Sequence, residues 1–213
     1  ISTSQVSYDP INGFGSASAE KAFEKLLGID LLSRPDDGGN FWGLDNIGAK
    51  EVWKGTGSFK GTTSAGAVVA VVDSGIDMDH HEFKGKIFKP WDFVDNDSVP
   101  DDEHGHGTHV AGTIAAADDG IGITGVAYDA KIMPLDVFPY KGGASDTNVA
   151  KAIRYAVDNG ADVINMSLGS PSRSSTIYSA LQYAESKNVI CVSSAGNSSR
   201  SSPGYPGGYA TQY

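Results

Sequence analysis

"AVVAVVD" occupies residues 67–73. Six apolar residues, four of them valine, run straight into a carboxylate. A half-exposed strand alternates apolar and polar side chains. An unbroken apolar run fits a strand covered on both faces, as in a parallel sheet. Three further runs read the same way: "KIMPLDVF" (131–138), "DVINMSL" (162–168) and "VICVSSA" (189–195). Helical patterns lie between them. "TNVAKAIRYAVDNG" places Val149, Ile153, Ala156 and Val157 on one face and stops at Gly160, and "TIYSALQYAESKN" repeats the design. This alternation predicts an α/β fold, a parallel sheet flanked by helices with right-handed crossovers. Such sheets bind ligands beyond the carboxyl ends of their strands. Polar residues gather there: Asp73, Asn165 to Gly169, and Asn197.

The chain has 213 residues, enough for a sizeable core. Its 39% hydrophobic and 20% charged content is that of a soluble globular protein. No apolar run reaches the length of a bilayer span, and "ISTSQVSYDP" carries neither the basic nor the apolar region of a signal peptide. The net charge of -10 argues against nucleic-acid binding. It suits a cation-binding or salt-tolerant surface, and plain solubility equally. A single cysteine, Cys191, excludes an internal disulfide framework and reads as a buried, inert thiol. Residues 1–37 read as an N-terminal extension. Within it Ala19, Ala22, Phe23, Leu26 and Leu27 form the apolar face of a helix that Gly28 ends. "SRPDDGGN" (33–40) is turn-rich, and a second unit spans 38–213.

"DDEHGHGTHVAGTIAA" (101–116) holds three histidines. His106 opens a helix flanked by Gly105 and Gly107. Asp73, ending its strand, needs a partner for a partly buried charge. An imidazole beside such a carboxylate is held in one tautomer and serves as a general base.

With their flanks these residues resemble the subtilisin-like serine proteases. The matching stretches are "AVVDSGID", "GHGTHVAGTIAA", "VINMSLGS", "SSAGNSS" and "GYPGGYA", in that order, and the resemblance covers about residues 40–213. It implies a subtilisin-like α/β peptidase domain and serine endopeptidase activity. Asp73 would orient the histidine, His106 would be general base and then general acid, and Asn197 would donate to the oxyanion. His109 is expected to pack deeper in the same face, and His104 to be a solvated loop residue. A peptide substrate would lie as a strand beside Ser167, Leu168 and Gly169. The loop carrying Gly142 and Gly143 would flank it on the other side. Ser194, Ala195 and Gly196 would line the pocket for the residue before the cut, with a broad, apolar-leaning preference. Asp146 would stand on the rim of an outer pocket and favour a basic group.

The family's Gly-Thr-Ser-Met-Ala stretch, which carries the nucleophile, is absent from these residues. "GTTSAG" (61–66) precedes the Asp73 strand, so Ser64 reads as part of a polar turn. The chain is therefore expected to be truncated before the nucleophile helix: a fragment, a processed chain or one piece of a nicked enzyme. Its partners would be protein substrates and the missing C-terminal part of the domain.

"WDFVDNDSVPDD" (91–102) crowds acids that repel unless a hard cation lies among them. Composition alone fits a solvated acidic loop equally well. Thermitase-like members of the family have a similar run, and that resemblance implies calcium held by Asp92, Asp95, Asp97, the Val99 carbonyl and Asp101. A second site would use Glu82, Asp119 and the carbonyls of Ala117, Ile121 and Ile123, with an N-terminal ligand at Asp36 or Asp37. The resemblance also implies secretion to the extracellular space. A non-catalytic peptide-binding relative is the alternative. A zinc hydrolase using His80, His81, His104 and His106 has no helix-borne ligand spacing to support it.

Overall fold

A computed structural model describes residues 42–119, 123–199 and 201–212, with the side chains of 211 and 212 excepted. The expected N-terminal helix, Asp36, Asp37 and Ile121 lie outside these. Two short helices, α1 (Trp42–Asn46) and α2 (Ala49–Lys54), lead into strand β1 (Val68–Asp73). There follow β2 (Trp91–Asp92), α3 (His106–Ala115), β3 (Lys131–Asp136), α4 (Asp146–Asp158), β4 (Val163–Met166), α5 (Ser175–Ser186) and β5 (Ile190–Ser193). All four expected strands form, each shorter than its apolar run.

The sheet is parallel throughout, in the order β2-β3-β1-β4-β5. β1 is central, with Asp73 level with Asp136 of β3, and Asp136 level with Asp92 of β2. Three carboxylates thus end three adjacent strands. Successive side chains point to opposite faces. Ala70 and Val72 face α4 and α5 together with Met133, Leu135, Ile164 and Met166. Val69 and Val71 face Ala111 and Ala115 of α3, together with Ile132 and Phe83. Both faces of β1 are covered, which is why its sequence is continuously apolar.

The helix boundaries have local causes. Ser145 caps α4 by accepting the Asn148 N–H at 3.1 Å, and Ser174 caps α5 by accepting that of Ile177 at 3.3 Å. Gly160 adopts a φ of 90° just past α4, a conformation L side chains avoid.

β5 departs from expectation. Its run is apolar, yet Ile190 is 62% and Val192 49% exposed. Among the described residues β5 is an edge strand and no helix covers the face bearing these two side chains. On its other face Cys191 is half-buried, and burial pushes its thiol up to about 11. The thiol is thus not fully buried, where the sequence had led one to expect that it would be.

Candidate active site

β1 delivers Asp73 to the carboxyl edge of the sheet, where it is 1% exposed. α3 starts beside it, and His106 Nδ1 lies 2.6 Å from Asp73 Oδ1. The same oxygen accepts the Ser74 N–H at 2.8 Å. Oδ2 is buried and meets no donor among the described residues. The His106 side chain is 57% exposed, and Nε2 is the ring nitrogen that Asp73 does not engage. A buried anion on Nδ1 and an open Nε2 fix one tautomer and leave the other nitrogen available for proton transfer.

Two glycines make this approach possible. A Cβ on Gly107 would strike the Gly75 carbonyl and come within 3.3 Å of the Asp73 Cβ. Gly75, at φ 91°, is itself pressed on the Pro100 carbonyl. The glycines also settle His109. Gly107, Ala111, Gly112 and Ala115 are the buried stripe of α3. His109 falls on the opposite side of the helix and is exposed, correcting the expectation that it packs inward. His104 is exposed as expected. It has partners nonetheless: its Nε2 lies 3.2 Å from the Pro139 carbonyl, and its ring stacks on Tyr140.

Asp102, which nothing in its local sequence marks out, collects five donors. Oδ1 accepts the Ser74 hydroxyl (2.8 Å) and the N–H groups of His104 (3.0 Å) and Gly105 (2.8 Å). Oδ2 accepts the N–H (2.8 Å) and hydroxyl (2.6 Å) of Thr108. Burial opposes its charge, but the bonds from Thr108, Ser74 and His104 outweigh burial and lower its pKa.

Asp136 behaves oppositely. Burial above all pushes its carboxyl up to about 7; the Phe138 N–H works against this, and the charges of Asp92 and Asp102 add to it. A folded-state value above the ordinary 3.8 means the folded protein holds this proton more tightly. The contribution of Asp136 to stability is whole at low pH and is lost as pH rises from 3.8 to about 7. An Asp136→Asn variant of the full-length protein should therefore gain on the wild type across that window. Urea midpoints measured at both ends check this, and a pH-independent difference would contradict it.

Of the residues expected to meet substrate, Ser194 is bonded to the segment at the end of β4, its N–H reaching the Met166 carbonyl (3.2 Å) and its hydroxyl the Leu168 carbonyl (3.3 Å). Ser167 and Leu168 are half-buried. Gly169, Ala195, Gly196 and Asn197 are exposed, as are Gly142, Gly143 and Asp146 across the sheet edge.

The acidic run is chemically suited to a hard cation, since its side chains offer oxygens alone. Asp92 is 5% exposed and held by the N–H groups of Val94 (2.6 Å) and Asp95 (2.9 Å). Asp97 accepts the Val99 N–H at 2.8 Å. Asp95, Asp97, Val99 and Asp101 are exposed. Among the described residues no three acidic, histidine or cysteine side chains converge closely enough to hold an ion, which also removes the four-histidine zinc arrangement. At the second expected site Glu82 is 3% exposed and accepts N–H groups from Ala117 (2.9 Å) and Ile123 (3.4 Å). Two residues expected to offer carbonyls thus approach Glu82 as donors. Asp119 is exposed.

A family model described as the Subtilase family matches residues 64–212. The chain belongs to the subtilase family. Thermitase of Thermoactinomyces vulgaris is 42% identical over 147 residues, covering 68% of this chain and 53% of thermitase. Subtilisin Savinase of Lederbergia lenta is 38% identical over 169 residues, 79% of this chain and 60% of Savinase. Among solved structures, fervidolysin from Fervidobacterium pennivorans, a keratinolytic enzyme related to subtilisin, superposes with a TM-score of 0.68 at 36% identity. That match covers 83% of this chain and 29% of fervidolysin. A protease from Pseudoalteromonas arctica gives 0.64 at 34%, covering 68% and 54%. This subtilase chain thus spans about half the length of the curated relatives it matches.

Proposed function

We propose that this subtilase chain is the proton-handling part of a serine endopeptidase. The observation that carries the reading is the 2.6 Å bond between buried Asp73 and the exposed ring of His106. The nucleophilic serine comes from residues outside the 213. His106 Nε2 takes the proton from that hydroxyl as its oxygen attacks the peptide carbonyl. The imidazolium so formed is stabilised by the Asp73 charge, and it then returns the proton to the leaving amine. The Asn197 amide donates to the developing oxyanion. The substrate lies extended between Ser167–Gly169 and Gly142–Gly143, with Ser194, Ala195 and Gly196 receiving the side chain before the cut. The exposed carboxylate of Asp146 favours a basic residue further out. The remainder of the domain covers the stripe formed by Ile190 and Val192. It also closes the neighbouring cavity of about 560 Å³, which Met166, Leu181, Val189 and Tyr209 help to line.

Calcium would be held by Asp92, Asp95, Asp97, the Val99 carbonyl and Asp101, and a second ion by Glu82, Asp119 and the carbonyls of Ala117, Ile121 and Ile123. Bound there, it would supply charge compensation and rigidity. Family kinship supports an extracellular location. No helix among the described residues is long and apolar enough to cross a membrane.

A fluorophosphonate probe on the full-length protein tests this reading. Labelling of a serine outside residues 1–213, lost on pre-treatment with an irreversible serine inhibitor, is the expected result. No labelling would leave a non-catalytic peptide-binding relative. On the same preparation, calcium should restore thermal stability lost to a chelator, and Asp146→Tyr should lose the basic preference in peptide-library profiling. Failure of either arm removes that assignment alone.

A further inference from the structure

The Asp102 bonds form a pattern that exceeds helix capping. The Ser74 hydroxyl donates to Asp102 and accepts the Gly107 N–H at 3.0 Å, while the Ser74 N–H donates to Asp73. The Thr108 hydroxyl donates to Asp102 and accepts the Asp77 N–H at 2.9 Å. Each hydroxyl therefore bridges the turn leaving β1 to the first turn of α3. Both bridges are oriented by one carboxylate. The Gly105 N–H fixes the residue just before His106 to the same group.

We propose that Asp102 is a positioning residue of the dyad: through Ser74 and Thr108 it sets the separation and angle between Asp73 and His106. It touches neither substrate nor the transferred proton. Donors lie on both of its oxygens, an arrangement a carboxylate accepts and an amide does not. An asparagine keeping its carbonyl toward Ser74, His104 and Gly105 would turn an NH2 on the Thr108 N–H. The flipped amide would lose the other three donors. Either way the Thr108 bridge or the Ser74 bridge opens, and the imidazole drifts on Asp73.

This proposal rests on the protease reading for its kinetic readout and not for its spectroscopic one. In the full-length protein Asp102→Asn should lower kcat by about 10- to 100-fold with KM within about twofold, the pattern of a displaced rather than a missing group. The pH–rate profile should move, which loss of a helix cap alone would not cause. Independently of any turnover, the downfield proton resonance of the Asp73–His106 bond should broaden or shift upfield in the variant. Ser74→Ala, which removes one bridge, should move every readout the same way by less, and it decides the matter if Asp102→Asn does not fold. A variant that melts earlier but keeps the wild-type kcat, pH profile and downfield resonance would overturn the proposal and leave Asp102 a helix cap. Absence of turnover in the wild type would instead sink the protease reading, and the resonance would still decide the role of Asp102.

Discussion

Asp73→Asn in the full-length protein is expected to reduce kcat by about 10⁴-fold, the cost of removing the carboxylate from such a triad. The local bonding shows why neither orientation of the amide rescues it. With its oxygen in the Oδ1 place, the amide still accepts from Ser74 and from His106 Nδ1. Its NH2 then occupies the Oδ2 position, buried and without a partner among the described residues. No negative charge remains for the imidazolium. With the amide turned, an N–H opposes the Ser74 N–H and forces the ring into the other tautomer. Steady-state kinetics with a peptide substrate, on protein whose fold is confirmed by circular dichroism, measure the loss. A decrease below tenfold would remove Asp73 from the mechanism.

Gly107→Ala should damage stability and activity together. The added methyl meets the Gly75 carbonyl, which is backbone and cannot rotate away. Gly75 is itself closely packed, the Pro100 carbonyl lying 2.5 Å from where a Cβ on it would stand. The start of α3 is expected to move, taking His106 with it. Overpacking of this kind costs about 3 kcal/mol at the upper end. For a domain of this size that lowers Tm by roughly 6–12 °C. A shift near 1 Å in the base lowers kcat by about 100-fold. A thermal melt and a kcat measurement test both halves, and a variant unchanged in both would mean that the close packing of Gly75 on Gly107 is not needed.

The central strands were legible because each is covered on both faces, so every side chain from Val68 to Val72 is selected for burial. The pairing of Asp73 with His106 was legible because a carboxylate ending an apolar strand needs a partner, and the histidine stands within distinctive glycine-rich flanks. β5 was misjudged for a reason outside itself: Ile190 and Val192 are apolar, but whether they are covered depends on a neighbour. His109 was misplaced because the inward face of α3 is marked by Gly107 and Gly112, which a reading of apolar spacing does not count. Asp102 was invisible because its donors lie in two separate segments. Ser74 is 28 positions away, and in a run of acids Asp102 looks like one more solvated charge. Asp136 was hidden in the opposite way, since it lies within an apolar run and only the sheet order sets it beside Asp92.

The central position of β1 has a consequence for the order of assembly. Its two neighbours in the sheet, β3 and β4, are both synthesised later. The strand carrying Asp73 therefore leaves the ribosome with no edge to pair with. It must wait for Lys131–Asp136 before either of its sides is satisfied. α3, with His106, emerges in that interval, before the strand it packs against is fixed. Pairings this distant are slow to form. Asp73 and His106 are thus made early and brought together late, so the 2.6 Å contact between them cannot form until the centre of the sheet does.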